Sequence, residues 1–563
     1  VALASNIQGE EYYPIAIGQG AYTAELASNI PDGYSAICYN LVATGDSLEN
    51  RVGLRRLSVN MWNYQAPPTT LPRGQDVETS GYFCQIDPWG GDSSKPAFMW
   101  SSQGEVVPTG ATYPFNLNLV RAAGTIDAND GFMSVVTSGM VTGICQYNGV
   151  IYYCQVGFSV GVYKVTNINW GLDTVTATLV ASSTGLDVQG LFTFKDRLWA
   201  WQGNNLYFTD LPTVGGQPEQ WAAAANVIKF VGPDGAGNIK SVVPLSNRLC
   251  VFTNNGLFTL LVEGAPASWI LRILDSKSIS TTSQCAFETK GIVYYVNTTG
   301  VWATNSLSVT KISMVIDDQW FQAQGKRIHT INPYEDGMIV SIGRVVGSTF
   351  FDKDNSITFY TKLDPIGWTE WNINSYAEAA RPDRIAAMWS TTDKIPTYLN
   401  IEPTVYANLW IGDSTEAVHQ KSVLQLLIFD GGSDVYVDRT NVERTAPVGI
   451  YLKTKHFDGG NQFNKKFAKK GMLEVFTSDS EHILTTSWDI DVTIDMSTEK
   501  RSTPIIDSVV GTGSNLLQIP ALFWYRRAAF NLRASLQSDN SQIKIKDITI
   551  AQNTGRGAFE QVD

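Results

Sequence analysis

A chain of 563 residues with 44% hydrophobic, 11% aromatic and 17% charged residues is long enough for more than one core and too apolar to be disordered. Its 41 basic and 53 acidic residues give a net charge of −12, which excludes a nonspecific nucleic-acid binder driven by phosphate neutralisation. Six cysteines without a Cys-x-x-Cys pair predict free thiols and assembly in a reducing cytoplasm. No run reaches the roughly 18 apolar residues of a membrane span, so no membrane anchor is expected. The chain opens on Val1 without the basic and apolar regions of a signal peptide, which suggests a trimmed or upstream start.

Residues 1–134 read as an N-terminal β-rich region that forms a platform or closes the repeat behind it. Ile30-Pro31-Asp32-Gly33 is a turn leading into the extended run Tyr34–Leu41. Leu48–Leu57 follows, basic and interrupted by Gly53. Its Arg51, Arg55 and Arg56 are candidate assembly contacts, since the planar guanidinium fork suits interfaces; the other reading pairs them with acidic neighbours such as Glu49. From Asp87 to Gly110 the density of glycine and proline predicts a long exposed loop, which carries Trp89 and Trp100 as further candidate contacts.

From 135 to 439 one phrase recurs. It reads Arg197-Leu198-Trp199-Ala200-Trp201-Gln202-Gly203-Asn204, then Arg248-Leu249-Cys250-Val251-Phe252-Thr253-Asn254-Asn255, then Ile292-Val293-Tyr294-Tyr295-Val296-Asn297-Thr298-Thr299, with looser copies at Val150 and Met338. Branched and aromatic runs joined by Asn, Gly and Thr are β-hairpins. Their period, about 40 to 50 residues, is that of a four-stranded propeller blade, so this region is read as a β-propeller. Similar hairpins also occur in sandwiches and β-solenoids. An insertion near 375–405 interrupts the repeat. There Ala377–Arg384 suggests a short helix that Pro382 breaks or restarts, and Arg384 and Trp389 join the candidate contacts.

Beyond residue 440 the texture changes to polar–apolar alternation, clearest in Gln542–Ile550, which predicts a C-terminal antiparallel β-sandwich-like domain ending in a loose tail after Asn553. The basic run Asn464–Lys470 reads as a solvated strand entry with Phe467 packed inward. The fold class is therefore all-β: a propeller flanked by an N-terminal β region and a C-terminal sandwich.

Motifs for catalysis or cofactors are not legible. His329, His419, His456 and His482 show no metal-ligand spacing and read as surface or loop residues, and neither a nucleophile elbow nor a phosphate loop occurs. No enzyme activity, metal or cofactor is expected. The nearest approach to a sialidase Asp box, Thr477-Ser478-Asp479-Ser480-Glu481 with Trp488, lacks the glycine and sets the tryptophan too far away.

The turn at Ile30–Gly33, the segment Asn50–Arg55, the repeated hairpins, and Phe208-Thr209-Asp210-Leu211 followed by Gln220-Trp221 together resemble the tail nozzle proteins of short-tailed bacteriophages, the group of tail tubular protein B and the packaged-DNA stabilisation proteins. Tyr451–Asp458, Lys465-Lys466 and Met472–Val475 are similar to the sandwich segment of those chains. The resemblance lies in order and texture across most of the chain. It implies a structural virion protein in the tail, assembled in the host cytoplasm. Its partners would be five further copies in a homo-hexameric ring, the adaptor ring below the portal, tail fibres, and double-stranded DNA passing without sequence-specific binding. The ring would retain packaged DNA and open for ejection. The alternative is a receptor- or glycan-binding propeller, with exposed tryptophans such as Trp89, Trp100 and Trp389 stacking on sugars and hydrolase chemistry at Asp479 and Glu481.

Overall fold

In a computed structural model the chain is described over residues 11–15, 35–44, 47–51, 54–56, 83–85, 96–103, 115–121, 132–156, 160–170, 172, 174–222, 225–280, 285–316, 326–334, 336–346, 350–364, 366–371, 381–390, 404–412, 421–429, 433–437, 443–457, 466–478, 482–491, 500–535 and 542–553. Its regular elements are strands, with three short 3-10 turns among the described residues.

The recurring phrase marks the second and third strands of successive four-stranded blades. In the third blade these are Arg197–Gln202 and Asn205–Phe208, between Gly190–Phe194 and Val227–Lys229. The fourth blade is Ile239–Leu245, Arg248–Thr253, Gly256–Leu261 and Ile270–Asp275; the fifth is Ala286–Thr289, Ile292–Asn297, Gly300–Thr304 and Val309–Lys311. A tight left-handed turn joins the first two strands of a blade: φ is 45° and 76° at Asn148 and Gly149, 48° and 57° at Lys195 and Asp196, and 51° and 78° at Lys290 and Gly291. Two successive positive φ values match the right-handed strand twist, which is why Asn, Asp and Gly recur there. The first strands of neighbouring blades touch one another, so they stand nearest the propeller axis.

The propeller reaches further toward the N-terminus than 135. Its first blade is Phe83–Gln85, Pro96–Gln103, Phe115–Arg121 and Phe132–Thr137, and the second runs from Met140–Tyr147 to Thr174–Leu179. The sixth blade is Lys326–Tyr334, Gly337–Val346, Phe350–Lys362 and Thr369–Glu370, and the seventh among the described residues comprises Arg381–Ser390, Thr404–Gly412 and Lys421–Phe429, with Leu54–Arg56 as its outermost strand. An early strand thus completes the last of these blades. Two sequence expectations change here. The centre of Asp87–Gly110 is a blade strand, Pro96–Gln103, with Met99 fully buried, because the apolar run Ala97–Trp100 suits a strand despite its Gly- and Pro-rich flanks. The supposed helix is, from Arg381 onward, a strand, and Pro382 is accommodated at a register shift between Pro382 and Arg384.

The remaining strands build a two-layer sandwich. One sheet runs Leu41–Thr44, Ser47–Asn50, Ile543–Asn553, Lys466–Thr477, Gly513–Tyr525, with Glu11–Ile15 also paired to Ile543–Asn553. The other runs Ser35–Tyr39, Gly449–Thr454, Arg527–Ser535, His482–Asp491, the last also holding Lys500–Ser502 and Ile506–Val510. Between them lie Leu41, Leu473, Val475, Trp488, Phe530, Leu532, Ile545 and Ile548, all buried. Each fully buried side chain of this size contributes roughly 1.5–3 kcal/mol. The sandwich is therefore built from both ends of the chain, with the propeller inserted between residues 50 and 443. His482, expected at the surface, is buried at a strand start, and His329 lies in the strand Lys326–Tyr334. Lys466 is buried with its ammonium 5.9 Å from the Tyr525 ring, while Phe467 turns outward beside Trp524. The irregularity between Ala468 and Lys470 shifts the alternation by one residue, so that Lys466 and Ala468 face inward ahead of Gly471, Leu473 and Val475.

Candidate functional site

Two features of the architecture bear on function: the joint between the two units and the open edge of the sandwich. The joint is organised by Asn40, which has φ +58° and is 3% exposed. Its N–H donates to Glu370 O at 2.9 Å, its C=O accepts from Arg51 N–H at 2.8 Å, its Oδ1 accepts from Arg51 Nε at 2.8 Å, and its Nδ2 donates to Gly449 O at 2.6 Å. Glu370 ends the sixth blade, Arg51 stands where the chain leaves the sandwich, and Gly449 where it returns. Asn is suited to the position because its side chain tolerates the left-handed region and carries both a donor and an acceptor.

Arg51 was a candidate contact to a partner, but it is 1% exposed and its guanidinium lies 5.8 Å from the centroid of Trp371. Trp371 in turn stacks on Tyr360 at 4.6 Å. The side chain is thus spent within the chain, locking the sandwich to the sixth blade, and is unavailable at a surface. The parallel pair Tyr39↔Glu370 continues the second sandwich sheet into that blade.

Arg55 and Arg56 lie in the strand that closes the seventh blade, opposite Ile428 and Leu427. Arg384 and Trp389 belong to the first strand of the same blade, opposite Trp410 and Tyr406. Trp100 sits in the first blade opposite Phe83 and Asn118. Trp89 lies outside the described residues. The structure therefore gathers Arg55, Arg56, Arg384 and Trp389 into one blade and leaves Arg51 and Trp100 elsewhere. The Asp-box fragment is split: Thr477 and Trp488 are buried in the sandwich, and residues 479–481 lie outside the described residues.

The open edge was not found from sequence. Gly513–Tyr525 pairs with Lys466–Thr477 on one side and, among the described residues, with no strand on the other. Its thirteen residues, GSNLLQIPALFWY, carry no charge. Leu516, Leu522 and Trp524 are 69%, 76% and 55% exposed. Val509 on the preceding strand, Ile505 just before it, and Ile483 opposite Val509 are exposed as well. The signal in the sequence was the absence of Lys, Arg, Asp and Glu over a long alternating strand, which soluble edges ordinarily carry.

Charged groups elsewhere work as internal clasps. Burial pushes the Glu219 carboxyl up, but hydrogen bonds from Lys164 Nζ and Tyr152 Oη, both 2.7 Å, and the lysine charge outweigh it and hold the group below its usual range. This ties the long loop of blade three to blade two. Glu49 is held low in the same way by Lys544, at 2.6 Å, against burial, and Asp489 by Lys453, at 2.5 Å. Burial pushes the thiols of Cys38, Cys154, Cys250 and Cys285 up to about 12. Among the described residues no group of three or more His, Cys, Asp and Glu could hold a metal, and no helix is long and apolar enough to cross a membrane.

No protein family and no curated protein matches the sequence. Solved structures that align with it include the N-terminal domain of Nup159, at 11% identity over 56% of this chain and 87% of that one, TM-score 0.34. YCF48 bound to D1 peptide aligns at 9% identity over 56% and 94%, TM-score 0.29. A glycoside hydrolase family 43 arabinoxylan arabinofuranohydrolase from Bacillus subtilis aligns at 10% identity over 72% and 94%, TM-score 0.22. Superpositions this loose carry no functional argument, and the propeller is established by the order of its own four-stranded sheets.

Proposed function

We propose that the chain is a structural subunit of a ring, the tail nozzle of a short-tailed bacteriophage, whose role is assembly and gating of a DNA conduit rather than catalysis. The observation that supports the ring is the uncharged, largely apolar strand Gly513–Tyr525, which among the described residues pairs with a strand on one side only. A strand of this length left open to water invites edge-to-edge pairing, and an assembly that covers it removes the hazard. In a closed ring each subunit offers two different patches related by the ring rotation. The net charge of −12 accords with a conduit past which DNA slides without adhering. The pinned joint at Asn40 suits a subunit that transmits load between its propeller and its sandwich.

The test is reconstitution on the adaptor ring of the same virion, imaged by negative stain. Six copies stacked on the adaptor support the reading. A chain that stays monomeric and ignores the adaptor overturns it.

A further inference from the structure

Between the outer strand of the fourth blade and the fifth blade lies a cleft of about 510 Å³, within the range of small-ligand sites. Leu274, Trp302 and Val309 form its apolar lining, and Asp275, Lys277 and Thr299 stand among them. The walls are fixed before any ligand arrives. Asn297, 1% exposed, accepts at Oδ1 from Trp302 Nε1 at 3.1 Å, from Thr299 N–H at 2.8 Å and from Thr299 Oγ1 at 2.8 Å, while its Nδ2 donates to Ser278 Oγ at 3.1 Å. That network locks the indole and one rim. The opposite rim is a turn closed on Asn305 Oδ1, which accepts from Leu307 N–H and Ser308 N–H, both at 3.0 Å. Lys311 Nζ lies 5.8 Å from the indole centroid. Asp275 Oδ1 accepts from Lys277 N–H at 2.9 Å.

An indole held at fixed tilt with the Lys311 ammonium against it, aliphatic walls, and a lining that carries both signs in Asp275 and Lys277 define the ligand chemistry. A charged ligand would meet both signs and gain little, whereas a purely apolar one would strip water from Asp275 and Lys277 without replacing its hydrogen bonds. A neutral sugar has an apolar face of C–H groups and a rim of hydroxyls that both donate and accept. We propose that this cleft is a binding site for a neutral saccharide, its C–H face against Trp302, Leu274 and Val309 and its hydroxyls shared between Asp275, Lys277 and Thr299. The site lies on the propeller flank, apart from the sandwich edge, and does not depend on the ring reading.

The experiment is saturation-transfer NMR on the full chain with glucose, galactose, mannose and N-acetylglucosamine, followed by titration of their oligosaccharides. At least one sugar receives saturation on the C–H protons of one ring face. Trp302→Ala weakens binding by about tenfold, and Asp275→Asn, which keeps the shape, weakens it several-fold. A Trp302→Ala protein that fails to fold leaves Asp275→Asn and Lys277→Met to decide. The proposal is overturned if no member of the panel binds at millimolar concentration, if binding is unchanged in every folded variant, or if the cleft captures apolar peptides in place of sugars.

Discussion

Replacing Asn40 by alanine should loosen the propeller from the sandwich. The substitution removes the acceptor for Arg51 Nε at 2.8 Å and leaves a buried guanidinium short of one partner, a loss of about 1.5–3 kcal/mol. It removes the donor to Gly449 O at 2.6 Å, about 1 kcal/mol. It also places a Cβ without a compensating polar group at φ +58°, roughly 1–2 kcal/mol. The expected total is about 4 kcal/mol for Asn40→Ala, and about 1 kcal/mol less for Asn40→Gly, which tolerates the backbone but lacks the side chain. Urea unfolding followed by tryptophan fluorescence gives the totals. Hydrogen exchange then localises the effect: amides of Asn40 and Arg51 should lose protection ahead of the sandwich interior. A loss below ~1 kcal/mol for Asn40→Ala, or equal losses for alanine and glycine, would refute the account of the joint.

Four further outcomes are expected. Because Glu49, Glu219 and Asp489 are held below their ordinary range, the stability they contribute is present above the unfolded carboxylate pKa and lost as pH falls through their depressed values; urea midpoints measured from neutral pH into the acid range should drop, and Lys453→Met should flatten part of that drop. Gly190→Ala sets a Cβ 2.0 Å from the Trp201 ring and should cost roughly 1–3 kcal/mol, with partial recovery in Gly190→Ala/Trp201→Leu by thermal denaturation. The thiols of Cys38, Cys154, Cys250 and Cys285, buried and pushed up to about 12, should resist iodoacetamide in the native protein and react on unfolding, as intact-mass analysis will record. Leu522→Lys with Trp524→Lys, both at exposed positions, should leave the melting temperature within about a degree or two of the parent while abolishing assembly on the adaptor in light scattering.

What could be read in the sequence was local. The turns inside the repeated phrase, Gly203-Asn204, Asn254-Asn255 and Thr298-Thr299, announce themselves between branched and aromatic runs, and through them the blades of the central region were legible. What escaped was long-range pairing. Nothing near Leu54–Arg56 states that it will lie against Leu427–Phe429, or near Tyr13 that it will face Ile550. Partners hundreds of residues apart leave no mark on the local alternation of either strand. Hence the N-terminal region looked like one unit, although its strands divide between the sandwich and the propeller. Arg51 shows the same limit at a single residue: a basic segment reads as surface, and only the fold supplies Asn40 and Trp371 to bury its fork. Composition did mark the open edge, for a thirteen-residue strand without a charge is unusual, but only the sheet order shows that it is an edge.

The proposed ring is completed through that edge. The most direct measurement is the native mass of the purified protein, taken alone and on the adaptor, for the parent and for the Leu522→Lys/Trp524→Lys variant. A six-subunit mass is expected for the parent, reached at the latest on the adaptor, and a monomer for a folded variant under both conditions. A monomeric parent on the adaptor, or a variant that still forms the ring, would contradict it.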